Sequence, residues 1–307
     1  MNLTNKDLLL ALRECGGQRI ALGRYATGEH YFQTARSFAQ FLRADGPAAC
    51  GCFDAVSVRR YAAWLRDVRN CGHNTVAYYL RHLRAACNSL GGDAAAAFRG
   101  LSTAPQRTRK RALQDGAIPA LAALPLEGML AMWRDLFLFC FSARGMAFVD
   151  AANLRKSDVA GGYISYRRHK TGQQLLVRLE PCMEQVMARW RSPDGSPFLF
   201  PVLTEFGEEG WRQYASRLAM YNRALRILGA RIGCPGLSSY AARHSWATAA
   251  HRAGVPLGVI SEGLGHGSER TTQIYLASFG ASVLDDANRR VLRGAGLCRK
   301  GDSTIRE

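Results

Sequence analysis

Ser239-Tyr240-Ala241-Ala242-Arg243-His244 sets an arginine on a segment otherwise made of Ala241, Ala242, Trp246 and Ala247. The pattern predicts a helix over about 239–253. An arginine on its apolar side is carried inward, where a guanidinium needs an anion. Two more helices are expected at about 256–264 and 268–276. They carry Leu264-Gly265-His266 and, nine positions after that histidine, Tyr275 between Ile274 and Leu276. Taken alone, Tyr275 reads as a packing residue and His266 as a helix-end histidine bonded to backbone.

Upstream of this stretch, Tyr163 to Arg168 and Gln173 to Leu179 are strand-like. They flank His169-Lys170-Thr171-Gly172, which reads as a hairpin with a glycine-assisted turn and Lys170 at its tip. Before the hairpin, Gly128 to Phe141 is apolar nearly all round, as a buried helix is. Ser142-Ala143-Arg144-Gly145-Met146 follows it, with Asp150 a turn further on. Helices are also expected at about 181–191 and 211–232. A final amphipathic segment, Ala281 to about Arg293, carries Leu284, Ala287, Val291 and Leu292 at helical spacing. That stripe either folds back on its own domain or docks on a neighbour.

The first hundred residues read as a bundle of short helices. Thr27 and Glu29 start one, with Tyr31, Ala35, Phe38 and Leu42 at helical spacing. Ser57 is expected to cap a second, with Val58, Tyr61, Leu65 and Val68 inward. Asn74 is expected to cap a third, whose apolar stripe is Val76, Leu80, Leu83, Cys87 and Leu90. Its other face carries Arg81, His82, Arg84 and Asn88. Gly91-Gly92 ends it, and Ala94 to Leu101 add a short helix. Ser102 to Arg111, with Arg107, Arg109, Lys110 and Arg111, is a basic linker: a solvated loop or a strap along DNA phosphates.

Charge narrows the partner. Lys and Arg total 41 against 24 Asp and Glu, a formal net charge of +17 over 307 residues. A polyanion is implied, and nucleic acid rewards each phosphate contact by counterion release. An anionic membrane would call for a basic amphipathic helix or lipid anchor, and neither is evident. The apolar fraction of 48% excludes global disorder. Nine scattered cysteines form no paired CxxC units, so no metal site is expected and free thiols fit a reducing cytoplasm.

The four strings around Arg144, Lys170, Arg243 and His266, closed by Tyr275, resemble the tyrosine recombinase (phage integrase) family. That family is marked by an Arg, a Lys on a hairpin, a His-x-x-Arg box, a Leu-Gly-His box and a Tyr. The resemblance covers roughly residues 25 to 290. It implies a mainly α protein with an N-terminal helical, SAM-like core-binding clamp (1–101), a linker (102–111) and an α+β catalytic domain (112–280) with a small antiparallel sheet. The tail (281–307) would be a trans-docking helix. It implies a DNA recombinase that uses no cofactor and no metal, working as a homo-tetramer on double-stranded DNA.

The chemistry fits the residue types. The transition state at a phosphodiester gathers charge on non-bridging oxygens, and fixed cations must stabilise it. Arg144 and Arg243 offer forked bonds to those oxygens. By the resemblance Tyr275 is the nucleophile, Lys170 the general acid, and His266 a hydrogen-bonding or proton-transfer group. His244 is a packing residue behind them and Asp150 orients Arg144. Arg81 and Arg84, with the linker cations, would bind DNA. Tyr240 stands where the family has the first His of its box. It can donate to phosphate but is a poor general base near neutral pH. By the resemblance, Ser-Tyr-x-x-Arg-His is a variant found in a subgroup of integrases and DNA invertases of mobile elements. A DNA-binding protein keeping the fold without catalysis, and a type IB topoisomerase, are the competing readings.

Overall fold

A computed structural model describes residues 3–46, 51–106 and 112–265. The described residues form two compact units: residues up to 106 with 203–216, and 112–202 with 217–265.

In the first unit, capping chemistry sets where helices begin. Thr4 and Asp7 form a reciprocal box that starts α1 (Asn5–Ala21). After α2 (Tyr25–Ala44), Asp54 caps α3 (Ala55–Asp67), and Ser57 sits three residues in as the other half of that box. Ser57 is therefore not the cap: the helix begins three residues earlier, where the Asp54 carboxylate takes the Val56 and Ser57 amides. Gly72 precedes α4 (His73–Ser89), and Asn74 lies inside the helix. Its amide instead brackets the Gln106 backbone, accepting from N at 2.7 Å and donating to O at 3.0 Å. A tertiary partner has overridden a local capping preference.

The core of this unit follows the expected stripes. Tyr31, Ala35 and Phe38 from α2, Val58, Tyr61 and Leu65 from α3, and Val76, Leu80, Leu83 and Cys87 from α4 are buried together with Leu8 and Leu12 of α1. Val68 departs from its stripe at 63% exposed because α3 has already ended. Leu90 likewise lies past the end of α4 and is exposed. The short α5 (Ala94–Ala97) takes its cap from Asp93.

The second unit is built around α7 (Gly128–Ser142), which follows α6 (Ala117–Ala122) and buries Leu136, Phe137, Phe139 and Cys140. The buried carboxylate of α7, Asp135, is matched by Arg134 at 2.7 Å, Arg189 at 3.2 Å and the Trp190 indole at 2.7 Å. The last two lie at the end of α9 (Pro181–Arg189), so one charge joins two helices. Between them lie α8 (Phe148–Asn153) and a three-stranded antiparallel sheet in the order β1 (Val159–Ala160), β2 (Tyr163–Arg167), β3 (Gln174–Arg178). Tyr163 pairs with Arg178 and Arg167 with Gln174. Three helices complete the described chain: α10 (Gly207–Arg231), α11 (Ala241–Arg252) and α12 (Leu257–Gly263). The expected helices at 268–276 and 281–293 lie outside the described residues. Among the described residues no helix is long and apolar enough to cross a membrane.

Candidate active site

The arginine-bearing turn is a helix stop. Past Ser142 the chain closes with Ala143 N donating to Phe139 O at 2.8 Å and Met146 N to Cys140 O at 2.9 Å. The backbone then passes through left-handed values at Arg144 (φ 57°) and Gly145 (φ 68°). A non-glycine residue there carries about 1–3 kcal/mol of strain, a cost found most often at functional sites. Gly145 is required twice. Its φ suits glycine, and a Cβ would stand 2.8 Å from the Arg243 Cα. Arg144 itself is exposed: the left-handed turn carries it off the helix axis and outward.

Arg243, in the first turn of α11, is 2% exposed. Its Nη1 donates to Gly145 O at 2.9 Å and its Nη2 to Leu264 O. It thus ties the Arg144 turn to the end of α12. Tyr240 stands at the cap position of α11 and is 39% exposed. Its ring meets His244 edge-to-face at 5.0 Å, which places His244 behind the tyrosine. Tyr240 also borders a cleft of about 860 Å³ lined by Leu113, Asn222, Arg226 and Cys234.

The hairpin has the expected form. Arg168 N donates to Gln173 O and Gly172 N to Arg168 O, both at 2.8 Å, leaving Lys170 exposed at the tip. Asp150, 3% exposed on α8, accepts from the His169 amide at 2.8 Å. Among the described residues this carboxylate bonds the hairpin and not Arg144. The reason is position: the first turn of α8 faces the hairpin base.

Arg168 carried no role in the sequence reading, yet it is buried and its Nη1 donates to Gly265 O at 2.5 Å. The signal was present. Ile164, Tyr166 and Arg168 share one phase of the strand alternation, and the first two are core residues. Two buried guanidiniums therefore bond consecutive residues, and the stem of Arg144 passes beside the residue before them. The Arg144 Cδ lies 3.7 Å from where a Cβ on Gly263 would stand, Arg243 holds Leu264 and Arg168 holds Gly265. The field is felt by Tyr166: burial, then Asp150, pushes its phenol up, against the pull of Arg243 and Arg168. Fixed cations grouped at one turn are what an anionic reacting centre calls for.

His266, joined directly to Gly265, lies outside the described residues, as do Tyr275, Arg107, Arg109, Lys110 and Arg111. Arg81 and Arg84 are exposed on α4, and both have partners. Arg81 Nη1 donates to Thr103 O at 2.8 Å, and the Arg84 guanidinium lies 5.9 Å from the Phe98 ring centre. With His73 bonded to Ala104 O at 3.1 Å and Asn74 to Gln106, α4 holds the segment that enters the linker. Among the described residues no group of three His, Cys, Asp or Glu is placed to hold a metal ion.

Comparison with known proteins agrees with this geometry. The model of the phage integrase family matches residues 112–281, more than half of the chain. The tyrosine recombinase XerC of Rhizobium meliloti (strain 1021) is 27% identical over 280 residues, covering 86% of each chain. The fold is shared with the Tn1549 transposon integrase solved with transposon right end DNA (TM-score 0.63, 14% identity, 92% of this chain and 99% of that one). It is shared too with the XerH recombinase on a palindromic difH substrate (TM-score 0.61, 16% identity, 86% and 79%). The chain belongs to the phage integrase family, the tyrosine-type site-specific recombinases that cleave and rejoin DNA.

Proposed function

We propose that the chain cuts one DNA strand by attack of the Tyr275 hydroxyl on a phosphodiester. The new bond is a 3′-phosphotyrosine ester, and the bond to the 5′-oxygen breaks. Lys170 gives that oxygen its proton. A 5′-hydroxyl from the partner strand then reverses the step, so bond energy is conserved and no energy cofactor is needed. Arg144 and Arg243 neutralise the non-bridging oxygens, His266 bonds one of them or assists proton transfer, and Tyr240 donates from the place of the first His in the family pattern.

The observation that carries this reading is that Arg243, bonded to the Gly145 and Leu264 carbonyls, holds its own charge and the loop presenting Arg144 beside the turn that leads into His266. A phenol with a pKa of about 10 is ionised in only about one copy in a thousand at pH 7, so such a field is needed to make it a nucleophile. The domain plan follows: a helical clamp to 101, a basic linker over 102–111, a catalytic domain to 280 and a tail that docks on a neighbour. Four copies act on two duplexes in the cytoplasm. The Tyr240 variant and the transposon integrase likeness favour mobile-element integration or inversion. The test is to incubate the protein with randomised nicked duplexes, trap covalent complexes, and map the modified peptide. An adduct on the Tyr275 peptide is expected; an adduct on any other peptide, or none, rejects the mechanism.

A further inference from the structure

We infer that Arg168 is a positioning residue that locks the Lys170 hairpin to the turn preceding His266. The inference rests on the proposed role of Lys170 as general acid. Arg168 lies two residues before that lysine and closes the hairpin loop with both its backbone groups, to Gln173 and from Gly172, at 2.8 Å each. Its side chain runs the other way, into the interior, and ends on the Gly265 carbonyl.

The approach is close because residue 265 is glycine. A Cβ there would stand 3.1 Å from the Leu175 Cδ1 and 3.2 Å from the Arg168 Cδ, on a backbone at φ 63°. The hairpin is therefore fixed from two sides, by Asp150 through the His169 amide and by Gly265 through Arg168. Cutting one tie leaves the lysine on a single hinge.

The choice of arginine also needs a reason. A neutral side chain can donate to a carbonyl at less desolvation cost. Among the described residues Arg168 forms no ion pair, its Nε is buried without a hydrogen-bond partner, and it is 4% exposed. A rigid planar fork of this length spans from the strand to the turn and holds its direction, where a lysine ammonium of similar reach would swivel. The charge and the geometry are separable by substitution.

The experiment measures single-turnover cleavage by the full chain on two substrates, one with an ordinary 5′-oxygen and one with a 5′-bridging phosphorothiolate, whose leaving group needs no proton. Lys170→Ala is the control and should be slow on the first and restored on the second. Arg168→Met is expected to cleave the ordinary substrate about 10²-fold more slowly, the usual cost of ~1 Å misplacement. It should recover most of that rate on the phosphorothiolate and bind DNA unchanged. Arg168→Lys, which keeps the charge and loses the fork, should show the same rescue with a smaller defect, and it decides the matter if the Met variant does not fold. If Lys170→Ala is rescued while both Arg168 variants are equally slow on the two substrates, or as fast as the parent, Arg168 does not act through Lys170. If Lys170→Ala is itself not rescued, the general-acid reading on which the inference stands is what fails.

Discussion

Arg243 donates to the Gly145 carbonyl at 2.9 Å, so the arginine of α11 holds the loop that presents Arg144. The two arginines are thereby a single unit, set by a glycine that allows α11 and the loop to touch. Gly145→Ala adds a Cβ at 2.8 Å from the Arg243 Cα and forces alanine to φ 68°. The variant should lose about 1–3 kcal/mol of stability, and strand cleavage should fall in protein that remains folded. Urea denaturation and a cleavage assay check this. A variant as stable and as active as the parent would show that the close approach is dispensable.

Much of this site was legible beforehand, and the failures have physical causes. The hairpin was readable because alternation over Tyr163 to Arg168 and the glycine at 172 are local signals. The extent of α7 was readable too, because Gly128 to Phe141 is apolar nearly all round. Asn74 lies inside α4 and not at its cap because its partner, Gln106, is 32 residues away, and Asp150 likewise meets a distant partner, His169, 19 residues on. The task of Arg168 is not a local one, since its partner Gly265 lies 97 residues on. Residue type and phase show that a polar group points inward; only the folded chain shows what it meets.

The first unit should weaken in mild acid. His30 and His82 sit with ring centres 5.8 Å apart, and Tyr78 packs edge-on against both. Burial pushes both imidazoles below their usual value; Glu29 pulls His30 partly back, and the Tyr78 carbonyl does so for His82. With lowered values in the folded state, the unfolded chain takes up protons first. Stability is therefore full above about pH 6.5 and is lost as pH falls through the folded values. The urea midpoint should drop between pH 7.5 and 5.5, and less so in a His30→Gln, His82→Gln double variant. A midpoint that is flat or rises on acidification contradicts this.

The linker charges should report on phosphate contacts. Replacing Arg107, Arg109, Lys110 and Arg111 with glutamine should flatten the slope of log affinity against log salt by about 3.6, at roughly 0.9 for each of four phosphates. Arg81→Gln is expected to change the slope less, because its guanidinium already serves the Thr103 carbonyl. Equal slopes for the linker variant and the parent would make 107–111 a solvated loop.

Truncation after Gly280 separates assembly from binding. If the tail docks on a neighbour, single copies should bind one site with unchanged affinity, while cooperative binding and strand exchange collapse in gel-shift and recombination assays. A truncated chain that unfolds supports docking within its own domain. One that recombines normally removes any assembly role.

The most direct test of the central claim is Tyr275→Phe, assayed on nicked duplex in excess chelator beside the parent protein. The parent should form a denaturant-resistant protein–DNA complex, because its phosphate is activated by fixed cations of this chain. The Phe variant should bind the same duplex with the same affinity and form no such complex. A covalent complex from the Phe variant would mean that another residue is the nucleophile, and failure of the parent in chelator, restored by magnesium or zinc, would mean that the arginines do not suffice.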